Sequence, residues 1–177
     1  PHNALIHALN KPLTDCYRGV RDNYPHLRAE LDELEAKYTA NRIAFDALKA
    51  RSPDRRVPDG NEALYYQLRD MFNGKIEGYS PAAVYYFINK TAYSGMIRYN
   101  KQGDFNVPYG RYRHLNTALV SEAHSRLLQS AEITCGDYDA VFQQCRPDDF
   151  VFLDPPYDCV FSDYWNKETK DGFNEQE

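Results

Sequence analysis

Apolar positions along this chain follow several rhythms, and each predicts an element. Ala4-Leu5-Ile6-His7-Ala8-Leu9 is short and mostly apolar, and it predicts a strand that Asn10-Lys11-Pro12 ends. A helix is expected from Pro12 to about Asp22, with proline in its first turn. The charged stretch from Pro25 to about Ala50 carries Leu27, Leu31, Leu34 and Tyr38 on one stripe. That spacing predicts a long helix with one buried face and one solvated face. Residues 52–60 read as a loop by composition.

Asn61 to Asn73 predicts another helix, with Leu64, Leu68 and Phe72 on one side and Tyr65, Tyr66 and Phe72 in the core. Ser80-Pro81 is an N-cap and first-turn pair for a helix reaching about Lys90. Residues 91–113 differ in kind: Gly95, Gly103, Pro108, Gly110 and four tyrosines predict a loop or hairpin. Asn116 is expected to cap a helix bearing Leu119, Ala123 and Leu127. Residues 132–135 predict a short strand, and Gly136-Asp137 turns from it into a brief helix ending near Gln144. Phe150-Val151-Phe152-Leu153 predicts a short buried strand. Strand, helical insertion, helix, strand, helix, strand is an α/β pattern with a mainly helical insert. The strands are few, so part of a larger sheet is expected outside the chain.

Length and charge narrow this further. At 177 residues the chain fits one domain, or one domain with an insertion. The net charge of −5 argues against a wholly basic nucleic-acid binder. The charge is unevenly spread, however. Residues 90–113 hold Lys90, Arg98, Lys101, Arg111 and Arg113 against Asp104, a local +4 that leaves −9 for the rest. Cys16, Cys135, Cys145 and Cys159 form no C-x-x-C and have no zinc-like histidine spacing, so free thiols and no metal are expected. No signal peptide is expected, and no apolar run in the sequence is long enough to span a membrane. The chain opens at Pro1 without methionine and stops at Asn174-Glu175-Gln176-Glu177, and it reads as a piece of a longer protein.

The strongest candidate chemistry is Asp154-Pro155-Pro156-Tyr157. Two prolines cannot continue a central strand, so the chain must leave the sheet at Asp154. The carboxyl end of a strand is where open α/β sheets bind ligands. Asp154 and the Pro155 carbonyl can each accept one hydrogen of a planar amine, which aims the nitrogen lone pair at an electrophile. Tyr157 can stack on a base, and the prolines fix the geometry in advance. The plainer alternative is a strand end where Asp154 caps a backbone.

With these segments together, the chain resembles the DNA adenine-N6 methyltransferases of the Dam type. The resemblance is carried by Leu9-Asn10-Lys11-Pro12-Leu13 with Tyr17, by Tyr65-Tyr66-Gln67-Leu68-Arg69-Asp70-Met71-Phe72-Asn73, and by Ile133-Thr134-Cys135-Gly136-Asp137-Tyr138. It is most specific in the run from Asn89 to Tyr112, which contains Tyr-Ser-Gly-Met-Ile-Arg-Tyr-Asn-Lys from Tyr93 and Phe-Asn-Val-Pro-Tyr-Gly-Arg-Tyr from Phe105. The resemblance implies part of a Rossmann-like methyltransferase fold with an inserted, mainly helical DNA-recognition domain carrying a hairpin. The implied division is 1–24 and 117–177 for catalysis and 25–116 for target recognition. It implies S-adenosylmethionine as methyl donor and double-stranded DNA as substrate, with a flipped adenine held by Asp154, Pro155, Pro156 and Tyr157. Asn10, Asp137, Tyr138 and Asp154 would lie at the cofactor; Asp137 also suits a helix N-cap.

The implied DNA contacts are Tyr93, Ser94, Met96, Arg98, Asn100 and Pro108, with Lys101, Arg111 and Arg113 on phosphates. Arg98 is the natural base reader, and Tyr93 and Met96 suit wedging or stacking. Some of Tyr99, Tyr109 and Tyr112 are expected to pack on the helical support. A cytoplasmic, prokaryotic or phage-encoded enzyme is expected, with room for a restriction endonuclease partner. The chain departs from the family in two places. The glycine-rich cofactor loop is expected before Pro1, and the acidic ribose-binding position falls on Ala8, beside a half-buried strand histidine, His7. These departures favour, as an alternative, a DNA-binding remnant without activity. Cytosine N4 or RNA is a third target, towards which Asp154 leans least.

Overall fold

The structure is a computed structural model and describes residues 4–154. Two strands, β1 (Ala4–Ala8) and β2 (Ala131–Cys135), pair in parallel from Ala4↔Ala131 to Ala8↔Cys135. A parallel pair needs a crossover rather than a turn, and here the crossover is a helical body.

Local signals set the helix boundaries. α1 (Lys11–Asp22) starts where the Asn10 Oδ1 accepts the Leu13 amide at 3.1 Å, with Pro12 in the first turn. α2 (Tyr24–Arg51) buries Leu27, Leu31, Leu34 and Tyr38, as the stripe predicts, and no residue beyond Tyr38 on it is fully buried. α3 (Gly60–Phe72) is capped by Asp59, whose carboxylate accepts the Asn61 amide at 2.9 Å. α4 (Pro81–Thr91) is capped by the Ser80 Oγ at the Ala83 amide. It is apolar nearly all round and buries seven residues, because α1 covers one side and α3 another. The α1–α4 approach is close: a Cβ on Gly19 would lie 2.5 Å from the Ala82 Cβ. The core is continuous from Cys16 and Val20 through α2, α3 and α4 to Phe105, Val107 and Tyr109.

Two expectations are corrected. Asn116 does not cap a helix carrying Leu119; α5 spans Glu122–Leu128 and is capped reciprocally by Ser121 and His124. The reason is Arg28, whose Nη1 donates to the carbonyls of Thr117 (2.9 Å) and Val120 (3.1 Å). Those carbonyls are engaged across the fold, so residues 117–120 make a turn and Leu119 stays exposed. The second correction is the run from Phe150 to Leu153, which is neither strand nor buried: Phe150 is 91% exposed and Phe152 79%. A strand needs a ladder partner, and among the described residues the sheet has only β1 and β2. A short α6 (Asp139–Phe142) stands where the brief helix was expected.

Cys16, Cys135 and Cys145 are free thiols, and burial pushes the Cys16 thiol up to about 11. Cys159 lies outside the described residues. No helix among the described residues is long and apolar enough to cross a membrane.

Candidate nucleic-acid interface and sheet-end site

Residues 91–113 form an irregular hairpin. Its base is closed by the Tyr93 amide on the Pro108 carbonyl (2.9 Å) and the Gly110 amide on the Thr91 carbonyl (2.8 Å). Its tip is closed by the Asn100 amide on the Asp104 carbonyl at 2.8 Å, with Tyr99 bridged to Phe105. Ser94 (φ 52) and Gly95 (φ 63) are consecutive left-handed residues at the first bend. A β-branched residue at 94 would be strained there. The Asn100 Oδ1 accepts the amides of Gln102 (3.0 Å) and Asp104 (2.9 Å), so this side chain organises the tip turn.

One face of α3 holds the returning arm. Tyr65, Arg69 and Asn73 follow at four-residue spacing and therefore share that face. The Tyr65 hydroxyl donates to the Val107 carbonyl at 2.8 Å, and Arg69 reaches the same carbonyl at 3.4 Å. The Asn73 Nδ2 donates to the Phe105 carbonyl (3.1 Å) and its Oδ1 accepts the Phe105 amide (2.8 Å), as a neighbouring strand would. At the exit, the Tyr109 hydroxyl donates to the Tyr38 hydroxyl (2.6 Å), which donates to the Tyr112 carbonyl (2.6 Å). Burial raises these phenols, Tyr65 to about 12, so they remain protonated donors. Tyr109 is thus support, as expected for some of the tyrosines, and Tyr99 packs edge-on to Phe105.

The opposite face is open. Tyr93 is 54% exposed, and Ser94, Arg98, Lys101, Pro108, Arg111 and Arg113 are exposed with it. Arg98 crosses the hairpin surface, its Nε on the Asn106 Oδ1 at 3.0 Å. Arg111 pairs with Glu62 at 3.5 Å and Arg113 with Asp46 at 3.2 Å. Exposed pairs of this kind contribute little to stability. Lys101, at the tip, has no ion pair among the described residues. Met96 is half-buried; it lines a cavity of about 20 Å³ with Asn10, Phe72 and Tyr85. The start of α1 thus meets the base of the hairpin.

Next to that junction, the parallel register puts the carboxyl ends of β1 and β2 side by side. Asn10 follows one strand, and Gly136, Asp137 and Tyr138 follow the other. His7 ties the two: its Nε2 donates to the Asp137 carbonyl at 2.9 Å, and its Nδ1 lies 2.7 Å from the Thr134 Oγ1. The Asp137 Oδ1 accepts the Asp139 amide at 3.2 Å in a turn just before α6, whose N-cap position is Tyr138 rather than Asp137, and Asp137 is exposed. Tyr138, 39% exposed, meets Phe142 edge to face at 5.6 Å. An exposed carboxylate beside two rings suits a purine. Ala8, at the end of β1, offers no carboxylate to a ribose, and the Asn10 side chain is engaged as a cap. Asp154 is exposed; Pro155, Pro156 and Tyr157 lie outside the described residues. Of the supporting residues, Asn73 and Arg28 carry no individual role in the sequence reading, and Tyr38 enters it only on the buried stripe of α2. The one available signal was the polar row at four-residue spacing on α3.

Residues 2–176 match the family model of D12 class N6 adenine-specific DNA methyltransferase. The chain is 33% identical over 160 residues to the Type II methyltransferase M.MjaIII of Methanocaldococcus jannaschii, covering 86% of this chain and 50% of that protein. It is 37% identical over 140 residues to the Type II methyltransferase M.CviBI of Paramecium bursaria Chlorella virus NC1A, covering 75% and 50%. The Retron Ec67 DNA adenine methylase of Escherichia coli is 34% identical over 122 residues, covering 66% and 40%. The chain spans about half the length of the curated relatives it matches. With a family match across nearly all of its residues, this chain belongs to the D12 class N6 adenine-specific DNA methyltransferases.

Proposed function

We propose that this chain is the target-recognising and central catalytic part of a site-specific DNA methyltransferase. The enzyme moves a methyl group from S-adenosylmethionine to N6 of a flipped adenine in duplex DNA. The observation that carries this is the family match over residues 2–176. The open, basic hairpin on its α3 support agrees with it. In this reading residues 25–116 are an inserted recognition domain, and residues 1–24 and 117–177 belong to a Rossmann-like catalytic domain. DNA-associated action in a prokaryotic or phage-infected cytoplasm fits this role.

Asp154 accepts one hydrogen of the adenine amine and the Pro155 carbonyl accepts the other, while Pro156 stiffens the turn and Tyr157 stacks on the base. Holding both hydrogens draws the nitrogen out of conjugation with its ring and aims its lone pair at the electrophile, so most of the rate comes from positioning. S-adenosylmethionine, when bound, supplies an electrophilic methyl group on a sulfonium. The residues at the sheet end fit its adenine end, through Asp137 and the rings of Tyr138 and Phe142; the ribose finds no carboxylate at Ala8. Tyr93, Ser94, Met96, Arg98, Asn100 and Pro108 meet the target bases and their backbone, Asn100 by shaping the tip. Lys101, Arg111 and Arg113 meet phosphates.

The test is N6-methyladenine formation on unmethylated duplex with labelled S-adenosylmethionine. Asp154→Ala is expected to lower the rate at least about a hundredfold while duplex binding persists. Retained turnover would refute the role of Asp154, and N4-methylcytosine would refute the base. Ala8 favours a second reading, a DNA-binding protein without activity, which calorimetry showing no S-adenosylmethionine binding would support.

A further inference from the structure

We infer that the C-terminal end of α2 and the loop after it form a second phosphate-contacting surface, which grips duplex DNA beside the hairpin; this rests on the reading that the hairpin meets duplex. Residues 42–56 hold Arg42, Lys49, Arg51, Arg55 and Arg56 against Asp46 and Asp54. The first half of the same helix has the opposite sign, and its acids are engaged within the fold. Glu30 accepts the Ser80 amide at 2.8 Å, Glu35 accepts the Thr117 hydroxyl, and Glu33 pairs with Lys37 and Tyr79. In the basic half Arg42 pairs with Asp46 and Lys49 holds the loop, but the residues beyond Lys49 are not engaged in this way. Arg51, Arg55 and Arg56 are exposed, and their side chains have no hydrogen bond or ion pair among the described residues.

The loop is held in place. The Ser52 amide donates to the Leu48 carbonyl (3.1 Å), the Arg55 amide to the Ser52 carbonyl (3.2 Å), and the Lys49 Nζ to the Arg55 carbonyl (3.0 Å). Arg55 and Arg56 are therefore presented next to the helix end. A helix C-terminus attracts cations, which accounts for Lys49 and Arg51 in the last turn. It does not account for two more arginines beyond the helix.

The surface is continuous with the hairpin exit. Asp46 accepts from Arg42 at 2.8 Å and from Arg113 at 3.2 Å, which binds the two basic groups together. From Asp46 to Arg51 the helix advances about 8 Å. At about 3.4 Å per phosphate along one strand, that step reaches phosphates two or three positions past those at the hairpin exit. Such contacts position the duplex without reading its sequence.

The experiment is fluorescence anisotropy of the full chain with a mixed-sequence duplex of about 20 base pairs, two helical turns, over a range of salt. Arg55→Gln/Arg56→Gln is expected to weaken binding about tenfold at low salt and to flatten the log–log salt slope by roughly two. Arg55→Lys/Arg56→Lys is expected to keep affinity and slope, and circular dichroism should show both variants folded. If the glutamine variant binds as the unaltered protein does while Lys101→Glu loses binding, the inference is overturned and the hairpin reading stands. If the unaltered protein binds no duplex, both are overturned.

Discussion

At the scale of residues, Asn73 shows how one side chain can replace a strand. Its amide makes the pair of hydrogen bonds to Phe105 that a ladder neighbour would make, and Phe105 is 3% exposed. Asn73→Ala would leave a buried amide and carbonyl unpaired, at a cost of about 1–3 kcal/mol. The expected result is a lower denaturation midpoint and faster hydrogen exchange at the Phe105 amide; unchanged protection there would show that the clamp does not hold the arm. None of this was legible from Asn73 itself, because its partner is 32 residues away and nothing in the chain marks the pairing. Arg98 and Lys101 stood out as exposed cations for the opposite reason, since charge and turn residues are local signals.

At the scale of elements, α2 joins two different halves in one helix. Leu31 is fully buried against the body, whereas Ile43 is 67% exposed although the same helix carries it. Leu31→Ala is expected to destabilise the protein by about 2–5 kcal/mol, and Ile43→Ala by less than about 0.5 kcal/mol. Equal effects in chemical denaturation would mean that the outer half of α2 is covered after all. The stripe of α2 and the cap Ser80 were legible because their signals are local in the sequence, whereas the capping role of Asn10 came only from the structure. The failures have a common cause. Asn116 looked like a cap until Arg28, from another element, engaged the carbonyls that a helix would have used. The run from Phe150 looked like a buried strand because apolar character forecasts burial only where a neighbouring surface exists to cover it.

At the scale of the whole molecule, the sequence conveyed the α/β character and the candidate motifs, but not their arrangement. The resemblance implies that Asn10 and Asp137 lie together, but the physical cause is the parallel sense of β1 and β2, which neither strand encodes alone. The same pairing has a kinetic meaning. His7 and Thr134 face each other across 127 residues, so joining the strands closes a very long loop, whereas α2 with α3 and α3 with α4 pack across short connections. The helical body should therefore become protected first and the two strands last. Pulse-labelled hydrogen exchange during refolding can read that order, and β1 and β2 amides protected in the earliest phase would contradict it. If the order holds, the sheet end becomes competent only after the hairpin is already mounted on α3, so the surface proposed to meet nucleic acid matures before the one proposed to carry out chemistry.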